Sequence, residues 1–443
     1  MLTLLRGFLL SHFDVVIIGS GPSGLFTALT LAEQKKYKKI VIIDRARQSS
    51  GGMANDGKLN FHTKVGMSLS DLQIDQTQAE LHMKKILDLF LQTDCLKEVT
   101  KIENENYDFW TKRVANYKSE LIIPRQFHYG TDNARFVIDW FKQKLEKQNV
   151  EFMLETKIIK WEKHECFHLE TDKGEKITSD FLVVGCGRWG AYECKKNAIA
   201  SGVNTVFGPI DVGIRVEMNA DFYNPIVQHI YDPKIILNEK RNVRTFCTNP
   251  NGRVRTETYD EFKLVNGDAL SNEKTKNTNF ALLRTVRLTE PLVDTTAFAR
   301  MIASQFNLLS GGNEVIVQRI ANLREGRRSR QKDIDDTFNN EICKPTLETA
   351  ISGDVTLGFP SKIWHDLWQS LKTLDKICPS VLHPSTLIYA PEIKFYDTQY
   401  STNQHCETNI KNLYMIGDGC GKSRGIVGAA LSGILAGEGV LKK

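Results

Sequence analysis

Short apolar runs that end in glycine recur along this chain, and each predicts a buried parallel strand feeding a tight turn. The first covers residues 14–18 and is followed by Gly19-Ser-Gly-Pro-Ser-Gly24. Residues 23–33 are rich in Ala and Leu and predict a helix. Residues 39–43 form a second apolar strand ending in Asp44. A returning strand follows at 180–184, running into Gly185, and another at 413–416, running into Gly417-Asp418. Helical periodicity covers 70–96, and a helix from about 132 to 148 is expected, with Thr131 or Asp132 as its N-cap. Residues 150–154 read as a strand, and 156–177 as hairpins turning at Lys173-Gly174.

The first segment has the spacing of a dinucleotide fingerprint. Gly19 permits the turn, Gly21 lets backbone approach a pyrophosphate, and Gly24 lets the helix pack on the strand. Pro22 and Ser23 open that helix, whose free N–H groups can hold phosphates. Asp44 stands twenty residues after Gly24, where a carboxylate accepts from a ribose hydroxyl and disfavours a 2′-phosphate. Arg45 follows it, and the glycine-rich loop at 49–60, with Gly52 and Lys58, is expected beside the ligand. Gly185, Gly187 and Gly190 can be a second fingerprint, but no acid-tipped strand follows about twenty residues later. They are better explained as the strand that returns toward the same ligand.

Near the C-terminus, Asp418 can bond a ribityl hydroxyl. The helix at 425–439 is rich in Gly, Ala and Ser, so it can approach the first helix and a flavin ring closely. Gly425, Ile426 and Val427 form its positive end, which suits the N1–C2=O edge of a reduced flavin. Between these pieces the character changes. Strands are expected at 212–218, 242–248 and 253–257, with a turn at Asn249-Pro-Asn-Gly252 and an amphipathic helix at 295–309. No phosphate loop occurs there. Residues 389–395 are expected to lead the chain back into the first domain. The fold class is therefore α/β, an FAD-binding Rossmann-type domain with an inserted, strand-rich α+β substrate domain. The expected domains are 1–210 and 381–443 for the cofactor and 211–380 for the substrate.

The chain has 443 residues, enough for two to three domains. A net charge of +5 without a basic run gives no support for nucleic-acid binding. The four arginines in 324–330 are followed by acids and read as a solvated face. Nine cysteines at irregular spacing, with no C-x-x-C pair, predict reduced thiols, a cytoplasmic protein and no metal site. Residues 2–10 are apolar with Arg6, but the fingerprint strand follows too soon for a cleaved signal peptide, and no 18-residue apolar stretch predicts a membrane span.

Several motifs together make the chain similar to the two-domain NAD(P)/FAD-dependent oxidoreductases, FAD-dependent dehydrogenases with a glutathione-reductase-like Rossmann domain. They are Gly19-Ser-Gly-Pro-Ser-Gly-Leu25, Asn55-Asp-Gly-Lys-Leu-Asn60, His128-Tyr-Gly-Thr-Asp132, Gly187-Arg-Trp-Gly190, Asp211-Val-Gly-Ile-Arg215, Arg244-Thr-Phe-Cys-Thr-Asn-Pro-Asn-Gly252, Asn277-Thr-Asn-Phe-Ala-Leu282, Ala390-Pro-Glu-Ile-Lys394 and Gly417-Asp-Gly. The resemblance implies FAD and a redox role and no particular substrate; NAD(P)H is a candidate transient reductant and a small organic molecule the expected substrate. Hydride transfer at flavin N5 needs a positioned substrate and one managed proton. Lys58 is a candidate to bond flavin N5 or a substrate anion, Arg215, Arg244 and Glu392 are the candidate substrate-facing charges, His128 and His383 the candidate proton handlers, and Cys247 a candidate redox thiol. A flavin monooxygenase, a non-catalytic FAD or NAD binder, and chemistry that consumes the dinucleotide are the competing functions. Oligomeric state is not legible.

Overall fold

The computed structural model describes residues 11–47, 51–54, 57–100, 105–130, 132–237, 239–259, 261–268, 274–291, 294–312, 314–395 and 398–443. The apolar tail at 2–10, Ser49, Ser50, Asn55, Asp56 and Thr131, all part of the expectations above, lie outside them. The chain divides into two compact units, one of residues 1–99, 124–208 and 397–443, the other of 100–123 and 209–396.

The first unit is built on a seven-stranded sheet. Its parallel part runs, in spatial order, Val150–Met153, Ile40–Ile43, Ser11–Ile18, Lys176–Val184, then Leu413–Met415. These strands are apolar on both faces because both are covered: Val15 and Ile17 enter one core cluster, Val16 and Val41 another. The Lys176–Val184 strand serves two partners along one side. Its first half pairs antiparallel with Phe167–Thr171, the hairpin strand, and its last three residues pair parallel with the closing strand. The first helix, Pro22–Gln34, starts with proline at its N-terminus, where a missing N–H costs nothing. The closing helix, Gly425–Leu441, lies against it at glycine contacts. A Cβ on Gly433 would stand 2.1 Å from the Ser23 carbonyl oxygen, one on Gly437 2.7 Å from Thr30 Cβ, and Thr27 Oγ1 donates to Gly433 O at 3.0 Å.

Two local expectations change. The helical stretch at 70–96 is two helices, Leu69–Leu72 and Gln76–Leu91. Gln73 takes a left-handed φ of 54° and Asp75 starts the second helix with a capping box to Gln78, which overrides the continuous apolar pattern. The helix expected from about 132 begins at Ala134, with Asn133 rather than Asp132 as N-cap. The glycines after Val184 do start a helix, Gly187–Ala200, but the following strand, Thr205–Phe207, pairs antiparallel with Thr398–Tyr400 in a separate small sheet. Among the described residues no second parallel β-α-β unit forms there, as expected for a returning strand.

The second unit is organised by an eight-stranded sheet whose centre is Leu387–Phe395, Ile210–Asn219 and Asn277–Val286. Two amphipathic helices, Thr295–Leu309 and Ser361–Ile377, contribute Ile302, Phe306, Leu367 and Leu371 to its main core. Residues 389–395, expected to return to the first domain, are here an interior strand. Ile210–Asn219 pairs with it on one side and Ile316–Arg319 on the other, so backbone hydrogen bonding fixes its place. The edge strand Ser119–Ile122, from a segment with no such expectation, joins the same sheet.

Candidate dinucleotide site

The four parallel strands that matter end level with one another. Ile18 pairs with Ile43 on one side and Val184 on the other, and Val184 pairs with Met415. Their carboxyl edge therefore carries Gly19, Asp44, Gly185 and the Ile416-Gly417 turn side by side. The backbone ties them together: Gly19 N donates to Ile43 O at 2.8 Å, Gly185 N to Ile18 O at 2.8 Å and Ile416 N to Val184 O at 3.0 Å.

Gly19 is a required glycine. Its φ is +99°, and a Cβ would lie 2.2 Å from the Gly185 carbonyl oxygen. Gly24 is pressed as hard, with a Cβ position 1.9 Å from Gly19 O. Gly21 precedes the helix as its N-cap and offers no side-chain acceptor, so the first-turn N–H groups of Ser23 and Gly24 remain for a ligand. The Ser23 hydroxyl fills the space between the returning and closing strands. Cβ atoms on Gly185 and Gly417 would fall 2.8 and 2.7 Å from its Oγ. Three chain segments far apart in sequence thus converge on one helix turn.

Asp44 sits at the tip of its strand, half-buried. Its Oδ2 accepts from Ser20 N at 2.8 Å and Ser20 Oγ at 2.5 Å, and its Oδ1 accepts from Ala46 N at 2.8 Å. These bonds aim the carboxylate along the sheet edge, occupy both lone pairs of Oδ2 and leave Oδ1 a further one. Arg45 is exposed beside it. Gly52 is exposed with open space where a Cβ would be.

Asp418 turns toward the closing helix. Its Oδ1 accepts from Ser423 Oγ at 2.9 Å and its Oδ2 from Gly425 N at 3.2 Å, so it anchors the helix start as well as standing at the strand end. Ile426 and Val427 are buried in the core cluster of the first unit, and only their backbone N–H groups belong to the helix end. Gly428 fits under Gly66, whose carbonyl oxygen accepts from Arg424 N at 2.7 Å. Lys58 lies in the strand Lys58–Phe61, opposite His128 in the pairing with Arg125–His128. His128 Nδ1 accepts from Gly130 N at 2.8 Å, and the neighbouring Tyr129 donates to Met53 O at 2.6 Å, which ties the glycine loop down.

The remaining candidates belong to the second unit and are engaged internally. Arg215 and Glu392 are both fully buried and form a two-pronged ion pair, Nε to Oε2 and Nη2 to Oε1, each 2.7 Å. Arg215 Nη1 also donates to Asn279 Oδ1 at 2.7 Å, and Lys394 stands 3.2 Å from Glu392. Burial pushes the Glu392 carboxyl up, but the Arg215 and Lys394 charges outweigh it and hold it below its ordinary value. A pair sealed this way has no face for a substrate, so the expected substrate contact becomes a structural ion pair. Arg244 binds Asp211 at 2.5 Å and Thr285 Oγ1 at 2.9 Å. His383 bonds Ser385 Oγ at 2.8 Å, and burial lowers its pKa. The arginines at 324–330 include Arg327, paired with Glu325 and Asp333.

Sequence reasoning missed a second buried carboxylate, Glu217. It accepts from Tyr389 Oη at 2.7 Å, Asn277 Nδ2 at 3.0 Å and Thr346, in the second unit's interior. Its donors come from positions so distant in sequence that no local signal reveals them.

Comparison with known proteins agrees with the geometry of the first unit. Residues 17–77 match the NAD(P)-binding Rossmann-like domain. That stretch contains the first glycine turn, the helix and the Asp44 strand, so this part of the chain is a Rossmann-like dinucleotide-binding fold. An uncharacterized protein of Clostridium beijerinckii is 24% identical over 97% of this chain and 80% of its own length. Among solved structures, NikD, an amino acid oxidase essential for nikkomycin biosynthesis, aligns with 47% of this chain at 13% identity and a TM-score of 0.31; the alignment spans only 59% of NikD. Glycine oxidase of Geobacillus kaustophilus aligns over 98% of this chain and 95% of its own at 12% identity and a TM-score of 0.39. Among the described residues, no helix is long and apolar enough to cross a membrane.

Proposed function

We propose that this protein is an FAD-dependent oxidoreductase that moves a hydride between flavin N5 and a small organic substrate. The observation that carries the proposal is the single sheet edge on which Gly19, Asp44, Gly185 and Gly417 stand together. Ligands of open parallel sheets bind beyond the carboxyl ends of the strands. A Rossmann turn alone would serve NAD equally well. The closing strand and closing helix, packed through glycines onto the first helix, supply the extra wall that a flavin and ribityl chain require. The acid at position 44 favours an unmodified ribose.

FAD, when bound, supplies the hydride chemistry. The chain's own residues have simpler tasks. Ser23 and Gly24 N–H groups hold the pyrophosphate, Asp44 accepts from the ribose, and Asp418 accepts from a ribityl hydroxyl while fixing the closing helix. That helix places its positive end where negative charge gathers on a reduced flavin. Lys58, in the strand Lys58–Phe61, is a candidate to bond flavin N5 or a substrate anion. NAD(P)H is the natural transient reductant. All nine cysteines are free, which suits a cytoplasmic, reducing setting.

The test is a visible spectrum of the purified protein. A yellow protein bleached by substrate without oxygen is expected. A colourless protein carrying NAD would overturn the FAD assignment, and a bound flavin that never reduces would overturn the enzymatic one.

A further inference from the structure

The turns that follow the returning strand and the closing strand each carry a cysteine behind their glycines. Cys186 follows Gly185 and is the N-cap of the helix Gly187–Ala200; Cys194 lies two turns further along that helix; Cys420 ends the short turn Asp418–Cys420. The three sulfurs all lie within 4.8 Å of one another. Cys194 and Cys420 are almost fully buried and Cys186 is partly so. We infer that Cys186, Cys194 and Cys420 form a three-thiolate site for a thiophilic d10 cation, Zn2+ or Cu+. The sequence conceals it, because the third cysteine is far from the other two and no C-x-x-C pair marks any of them.

The surroundings are those of a ligand set rather than of three packed thiols. Thiolate–zinc bonds of about 2.3 Å in tetrahedral directions place sulfurs roughly 3.8 Å apart, so a small contraction completes the site. Glycines make the room: a Cβ on Gly190 would meet Cys186 Cβ at 2.8 Å, and one on Gly419 would meet Gly187 O at 2.2 Å and Cys186 Sγ at 3.0 Å. Tyr400, 1% exposed, points its hydroxyl at Cys194 Sγ, 3.8 Å away. An O–H donated to sulfur inside an apolar shell is the outer support a metal-bound thiolate uses. The shell includes Leu413, Met415 and Val203. The helix start at Cys186 stabilises the residual negative charge of three thiolates on a divalent ion.

Two further buried thiols, Cys378 and Cys406, stand outside this cluster, and burial pushes both up to about 12.

The inference stands whether or not the neighbouring sheet edge holds FAD. The experiment purifies the full chain from cells grown with added zinc or added copper, and measures metal by mass spectrometry and flavin by absorbance on the same samples. About one zinc or copper per chain is expected. Cys194→Ser and Cys420→Ser should each lower it at least about tenfold, while Cys378→Ser and Cys406→Ser keep it. Should the first two fail to fold, chelator-stripped wild-type protein is titrated with Zn2+ and with Cu+ against a chromophoric chelator, and uptake of about one ion is again expected. Neither ion bound by folded wild-type protein would overturn the site. So would full metal content in Cys194→Ser, or a wild-type mass lowered by the two hydrogens of a disulfide among these cysteines. Metal without flavin would sustain this inference and sink the flavin proposal; flavin without metal would do the reverse.

Discussion

The sheet edge of the first unit and the ion pair of the second show two opposite uses of polar groups. At the edge, glycines remove side chains so that backbone N–H groups and the Asp44 carboxylate stay available. Around Arg215 and Glu392, every prong of the guanidinium and both carboxylate oxygens meet partners inside the protein, with no exposure to solvent. The first is the edge proposed to receive the dinucleotide, whereas the second holds strands together. A charge is therefore no guide to a site until its partners are known, whereas a missing side chain at a strand end is informative by itself.

The comparison breaks most visibly at Gly24. Gly24→Val would drive a side chain into the Gly19 carbonyl, whose oxygen lies 1.9 Å from even the Cβ position. Backbone cannot yield as a flexible side chain does, so the first helix must move off the strand ends. Loss of soluble protein or a flavin content lowered at least about tenfold is expected, read by yield and visible absorbance. Full occupancy would show that the turn is not the cradle.

The next largest effect is at the ion pair. Glu392→Ala leaves Arg215 buried without its counter-charge, and a loss of about 3–5 kcal/mol in urea unfolding is expected. The double change Arg215→Met with Glu392→Leu should recover much of it, since paired apolar replacements avoid the desolvation of both charges. A stable Glu392→Ala protein that had lost only turnover would reverse the assignment and return the pair to the substrate. The same pair gives a pH signature. The folded carboxyl lies below its unfolded value near 4.5, so its stabilisation is complete above that pH and falls away as pH drops through the folded value. Glu392→Gln should flatten the acid limb of the stability profile below about pH 4.5 and change its slope little between pH 6 and 8.

These two regions also mark what was legible in the sequence. The fingerprint, the Asp44 strand and the small-residue closing helix carry their information within a few neighbouring positions, so periodicity and spacing reveal them. The limits of the second unit did not show, because 389–395 looks like any apolar strand, and only its two pairing partners decide its sheet. Arg215 and Glu392 were each visible as charges, but not as each other's partner. The break at Gln73 and the cap at Asp75 were written locally, yet the apolar period across them was stronger than the capping signal.

Asp44 tests the receiving edge more gently. Asp44→Ala removes the acceptor for Ser20 and for a ribose hydroxyl, and a loss of about 1–3 kcal/mol in dinucleotide binding is expected, read by flavin retention on dilution. Asp44→Asn should lie between, because an amide oxygen still accepts.

The smallest expected effect separates two roles that Asp418 combines. Its carboxylate accepts from Gly425 N and Ser423 Oγ, and it stands where a ribityl hydroxyl is proposed. If it acts only at the helix start, Asp418→Ala costs about 0.5–2 kcal/mol of stability, as loss of a capping acceptor does, and flavin retention follows stability. If it also holds the ribityl chain, retention falls further than stability alone explains. Asp418→Ser then becomes decisive. A serine oxygen restores an acceptor for a backbone N–H but not the charge-assisted bond to a ligand hydroxyl. Recovered unfolding midpoints with flavin still lost would place Asp418 on the receiving edge beside Asp44, whereas recovery of both would make it a brace for the closing helix, akin in role to the sealed carboxylate of Glu392.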